Sequence, residues 1–225
     1  MNFLTLSGWT QPSDALARII PDAAYFDYSD YPSPEASFAG LAPFANVSQV
    51  VAWSMGGQLA LKAIQAGVLS PKKLTLIAVP YQFVADSRVK AAMDPVTFAQ
   101  FRENYAHHPA RSKTRFHGLI AKGDQHHARV MAALGHHQEV EHTPRWLPWL
   151  DALASDSFYG QDVSRIPPTL LIHGENDVIV PVAQSKHLAN ALPYARLKIW
   201  SDCGHAPHLH DPIAFHRLVQ SHHDD

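Results

Sequence analysis

Short apolar runs alternate with amphipathic stretches along this chain. Phe3–Leu6, Ala23–Asp27, Val47–Trp53, Leu74–Val79, Thr169–His173 and Leu197–Trp200 are brief, apolar and closed by turn residues. That is the pattern of buried strands. Gly8-Trp9-Thr10-Gln11-Pro12 breaks the first run and Pro80 ends the fourth. Between the third and fourth, Gly56–Ala66 turns Leu59, Leu61, Ala63 and Ile64 to one side and stops at Gly67, as a helix does. Ser33-Pro34-Glu35 and Asp211-Pro212 each pair an N-cap residue with a proline at the first helical position. The first of these is expected to open a helix reaching about Phe44. Strands alternating with helices predict an α/β fold, a mostly parallel sheet with helices on both faces and right-handed crossovers.

Residues 81–160 interrupt this rhythm. They offer no good strand, and Asp94-Pro95, Asp124 and Thr143-Pro144 read as helix openings. The expectation is a helical lid at 81–160 inserted into a core formed by 1–80 and 161–225.

Composition narrows the function classes. The 225 residues are 46% apolar and 17% charged, enough for the core of one globular domain. A net charge of −2 gives no general basic field for nucleic acid. Cys203 is the single cysteine, so there is no internal disulfide and no Cys-cluster zinc site. The N-terminal apolar run is too short for a signal peptide, and no stretch approaches the ~18 apolar residues of a membrane span. A soluble, cytoplasmic protein is expected, with no membrane partner. The 16 histidines include the adjacent pairs His107-His108, His126-His127, His136-His137 and His222-His223. None has the i, i+4 spacing of a zinc helix, so neither metal nor cofactor is expected.

Chemistry concentrates at Val50-Val51-Ala52-Trp53-Ser54-Met55-Gly56-Gly57. A strand-like run, a serine between small residues and a helix form the setting of a nucleophile elbow, with Ala52 in place of the first glycine of G-x-S-x-G. A serine hydroxyl needs a base, and the base needs an orienting carboxylate. Asp177 follows the strand-like Leu170–His173. His205 lies in Asp202-Cys203-Gly204-His205-Ala206-Pro207, just past another strand. Chain order and position at the carboxyl edge of one sheet make Ser54, Asp177 and His205 the candidate triad. Glu175 and Asp202 remain alternative acids. His208 and His210 lie near the base loop, and His173 is read as a supporting residue. Two backbone N–H groups would bind the oxyanion: Met55, after the nucleophile, and Trp9, in the loop after the first strand, whose indole would wall the acyl pocket.

These residues resemble the α/β-hydrolase superfamily. Ser7-Gly8-Trp9, Trp53-Ser54-Met55-Gly56-Gly57, Asp177-Val178-Ile179-Val180-Pro181 and Gly204-His205-Ala206-Pro207 with His210-Asp211-Pro212 are similar to the biotin-pathway carboxylesterases that demethylate pimeloyl-acyl-carrier-protein methyl ester. Arg111-x-x-x-Arg115-Phe116 resembles that family's lid helix. The resemblance implies that Phe116, His117, Gly118, Leu119 and Ile120 line an acyl channel, and that Arg111 and Arg115 face an acyl-carrier protein. It also implies a fold N-terminally trimmed relative to the family, since seven residues precede Gly8. A monomer is expected.

Charge segregation agrees with an acidic partner. Asp86 to Leu147 holds nine Lys/Arg and six acids, a local +3, while the remainder is −5. Arg111, Lys113 and Arg115 are the expected carrier contacts. Other readings are a serine hydrolase of small esters or of carbon–carbon bonds, and a non-catalytic binding module. A dehalogenase would want Asp at position 54.

Overall fold

The computed structural model describes residues 2–135 and 145–225. Its strands are β1 (Phe3–Leu6), β2 (Ala24–Tyr25), β3 (Gln49–Trp53), β4 (Lys73–Ile77), β5 (Thr169–Gly174) and β6 (Ala195–Trp200). They form one six-stranded sheet in the order β2-β1-β3-β4-β5-β6. Every neighbouring pair is parallel. Each of the six apolar runs forms one of these strands. β1, β3 and β5 are buried at every residue, as strands covered on both faces are. β6 alternates between half-buried and exposed positions because it lies at the edge of the sheet. Registers Leu6–Ala52, Trp53–Ile77, Ile77–Ile172 and Gly174–Trp200 align the strand ends. The loops after β1, β3, β5 and β6 therefore leave from the same edge.

The helices are α1 (Phe38–Leu41), α2 (Met55–Gln65), α3 (Pro95–His107), α4 (Pro109–Ala121), α5 (His127–Gly135), α6 (Trp146–Ser155), α7 (Ala183–Ala191), α8 (Pro207–His210) and α9 (Pro212–Asp224). Two start as the cap residues predict. Asp94 accepts from Thr97 N at 2.8 Å, and Asp211 accepts from Ala214 N at 3.0 Å. Residues 33–44 do not form one continuous helix. α1 is flanked by 3₁₀ turns at Glu35–Ser37 and Ala42–Phe44, and Pro43 has no N–H to continue an α-helical ladder.

Residues 81–160 supply α3 to α6 and, among the described residues, no strand of the sheet. The helix opening at Thr143-Pro144 and the pair His136-His137 lie outside the described residues. Asp124 does not simply cap a helix. α5 begins at His127, and the Asp124 side chain is buried. Among the described residues, no helix is long and apolar enough to cross a membrane.

Candidate active site

The turn between β3 and α2 holds Ser54 in a backbone conformation that side chains rarely adopt, φ 53° and ψ −121°. Such a conformation costs about 1–3 kcal/mol and persists where the surroundings over-determine it. Here Ser54 N donates to Ile77 O at 2.8 Å, and Gly57 N donates to Ser54 O at 2.9 Å. The two glycines make room for the turn. A Cβ on Gly56 would collide with the carbonyl oxygens of Leu6 and Ser7, and one on Gly57 with the side chain of Val79.

Three loops bring the predicted triad residues together. His205 Nδ1–H donates to Asp177 Oδ2 at 2.7 Å. That leaves Nε2 to accept from the Ser54 hydroxyl at 3.1 Å. All three residues are buried. The other candidate acids, Glu175 and Asp202, are both exposed.

Asp177 is saturated with donors. Its Oδ1 accepts from Ile179 N at 2.8 Å and Val180 N at 2.9 Å. Its Oδ2 faces two imidazoles, His205 and, at 3.1 Å, His173 Nε2. His173 Nε2 also faces Val180 O at 2.8 Å, so this nitrogen carries the proton, and Nδ1 accepts from Ser185 Oγ at 2.5 Å. Burial alone would raise the Asp177 carboxyl. The adjacent imidazoles, His205 first, outweigh burial and hold it well below the usual carboxylate range. Asp177 is therefore ionised, and it fixes the tautomer of both rings.

The loop after β1 lies over the elbow. A Cβ on Gly8 would sit 3.6 Å from the Ser54 Cβ, and Trp9 is the next residue. Trp9 is buried, with its indole Nε1 donating to Trp146 O at 3.0 Å. Its ring centroid lies 5.2 Å from Phe116, 4.7 Å from Tyr105 and 5.5 Å from Phe101. Met55 is the first residue of α2, so its N–H is one of the donors a helix leaves unpaired at its start.

α4 has a clear inside and outside. Phe116, His117 and Ile120 are buried. Gly118 and Leu119 are only half-buried, and a Cβ on Gly118 would meet nothing within 4 Å. Arg111 and Arg115 are exposed and share one face. Lys113 departs from expectation. It is buried, away from the surface that a docking partner would touch.

The sequence did not reveal how α4 and the turn after it hold the base loop. His205 N donates to Ile120 O at 3.2 Å, and Gln125 N donates to Asp202 O at 2.8 Å. Asp124 accepts from Gly204 N at 3.1 Å, from His126 N at 2.7 Å and from His210 Nδ1 at 3.0 Å. Asn176 Nδ2 donates to Gly123 O at 3.0 Å. The donor atoms of Asp124, Cys203 and His210 lie within 4.8 Å of one another and are of kinds that bind divalent metals. The hydrogen bonds of Asp124 already join it to His210 and to the loop. Burial, with the nearby charges of Asp124 and Asp177, pushes the Cys203 thiol far up. It is a poor nucleophile there.

Comparison with known proteins agrees with this fold. The profile described as "Alpha/beta hydrolase family" matches residues 6–218. The chain belongs to the alpha/beta hydrolase family. A pimeloyl-[acyl-carrier protein] methyl ester esterase of Nitrosomonas europaea is 32% identical over 169 residues, covering 74% of this hydrolase and 67% of that protein. A protein of the same name from Aromatoleum aromaticum is 33% identical over 183 residues, covering 72% and 68%. An esterase from Exiguobacterium antarcticum has the same fold, with a TM-score of 0.87 at 16% identity over 100% of this hydrolase and 92% of that chain.

Proposed function

We propose that this chain is a serine carboxylesterase working through an acyl-enzyme, with the methyl ester of a carrier-bound acyl chain as its substrate. Family membership and esterase relatives make it a hydrolase acting on carboxylic esters. The observation that carries the mechanism is the Ser54–His205–Asp177 hydrogen-bond chain.

Ser54 Oγ attacks the ester carbonyl as His205 Nε2 takes its proton. Asp177 stabilises the imidazolium that forms and stays ionised itself. The N–H groups of Met55 and Trp9 hold the tetrahedral oxyanion. His205 returns the proton to the leaving alcohol. Water then attacks the acyl-Ser54 ester, again losing its proton to His205, which passes it to Ser54 as the free acid departs. Phe116, His117 and Ile120 on the inner face of α4 line the acyl side of this site, with Gly118 and Leu119 at its margin. Arg111 and Arg115 face outward, toward an acidic carrier. The names of the two relatives and the positive charge between Asp86 and Leu147 support a carrier.

Stopped-flow hydrolysis of a p-nitrophenyl ester tests this reading. The expected result is a p-nitrophenol burst equal to the enzyme concentration, absent in Ser54→Ala. Turnover that survives in a folded Ser54→Ala variant would end it.

A further inference from the structure

Lys113 is 5% exposed, yet its Nζ has no hydrogen-bond partner among the described residues. A buried ammonium without a counter-charge is costly, and such groups are found paired or bound to something. Its position on α4 says what it faces. Lys113 and Ile120 are seven residues apart and so share one side of the helix, two turns or roughly 10 Å along its axis. At the Ile120 end, its carbonyl holds the backbone of His205. Phe116 and His117 lie between, Phe116 against Trp9 and His117 with its Nε2 3.4 Å from Gln11 Nε2. Other buried polar atoms nearby also lack a partner among the described residues. Thr10 Oγ1 and Gln11 Oε1 follow Trp9 in its loop, and Trp146 Nε1 belongs to the residue whose carbonyl bonds the Trp9 indole.

We propose that Lys113 is a specificity-determining residue that binds an anionic oxygen group on the substrate, beyond Phe116 on the acyl side of the ester under attack. The inference rests on the esterase reading above and names the kind of substrate that site accepts. Phe116 and Trp9 pack around the apolar part of the chain, and Lys113 receives the charged group beyond it. Burial pushes the Lys113 ammonium below its ordinary value, and a bound anion opposes that shift. A carboxylate at the far end of a free acyl chain supplies this chemistry, and in a carrier-bound ester, where that end is joined to the carrier, the phosphodiester further along the prosthetic arm supplies it.

The test compares wild type with Lys113→Met, which keeps an unbranched apolar stem and removes the charged end. The substrates are a free dicarboxylate half-methyl-ester, the dimethyl ester of the same length and a carrier-bound methyl ester. Charged hydrogen bonds of this kind correspond to about a 10–100-fold effect. A rise in KM of that size is expected for the half-ester, with the dimethyl ester unchanged. A rise for the carrier-bound ester alone assigns the anion to the carrier's arm and also supports the site. Equal effects on all three substrates, or none, would overturn it. The dimethyl ester is the control for the esterase reading, since that reading fails if wild type does not hydrolyse it. Wild type gives an answer even if Lys113→Met does not fold. Dicarboxylates should inhibit dimethyl ester hydrolysis at least tenfold more strongly than monocarboxylates of equal length, and equal inhibition would again overturn the proposal.

Discussion

Trp53 holds the backbone of His205. Its indole Nε1 donates to the His205 carbonyl at 3.0 Å across 152 positions of sequence. The residue before Ser54 thus holds the loop of His205. Trp53→Phe keeps most of the ring and leaves that buried carbonyl without its donor, at a cost of about 1–3 kcal/mol. The kcat for a small ester should fall about tenfold with KM little changed. An unchanged kcat would show that the base loop holds its place without this bond.

Ser54→Ala and His205→Ala should each lower kcat by at least ~10³-fold, and the double variant should lose little more, because the two groups act as one unit. Additive losses in steady-state kinetics would contradict a shared proton transfer.

Asp177 predicts a dependence of stability on pH. Its carboxyl is held below its unfolded value of about 3.9, so its contribution is complete above that pH. The contribution is lost as pH falls toward the folded value. Wild type should therefore destabilise on acidification below about pH 4, and Asp177→Asn should flatten that part of the curve in urea melts. Activity should also fall sharply, because Asn cannot hold the imidazole tautomer.

Trp9→Pro removes the proposed oxyanion donor and should cost ~10²–10³-fold in kcat. Trp9→Phe keeps the backbone N–H but loses the indole bond to Trp146, so acyl preference and about 1 kcal/mol of stability should change instead. Equal kcat losses in both variants would reject the donor role.

Asp124→Asn weakens the link between the turn after α4 and the base loop. Its kcat should drop on small and carrier-bound esters alike. Arg111→Glu with Arg115→Glu should instead raise KM for the carrier-bound ester alone, and that KM should climb with salt, as screening of exposed charges requires. A salt-independent KM would favour a small free ester.

The strands were readable because parallel, doubly covered strands are nearly continuous apolar runs, as in Gln49–Trp53. The elbow and the order of Ser54, Asp177 and His205 were readable for a related reason, since each side chain follows one of those runs. α7 escaped notice because its buried side includes Gln184 and Ser185, which give no hydrophobic period. Asp124 looked like a helix cap because its partner His210 is 86 residues away, a pairing that no local pattern encodes. Lys113 looked like a surface charge on a basic helix. Which side of α4 packs inward was settled by the Trp9 cage, not by the spacing of its charges.

The hydroxyl and imidazole that meet at 3.1 Å are separated by 151 positions of chain. During synthesis, the turn at Ser54 can form long before His205 exists. No fragment that ends short of His205 can run the proposed chemistry, however well its first strands fold. On the proposed mechanism, cutting the protein between β4 and β5 would leave two silent pieces, one with Ser54 and one with His205 and Asp177. Ester cleavage would then report their reunion.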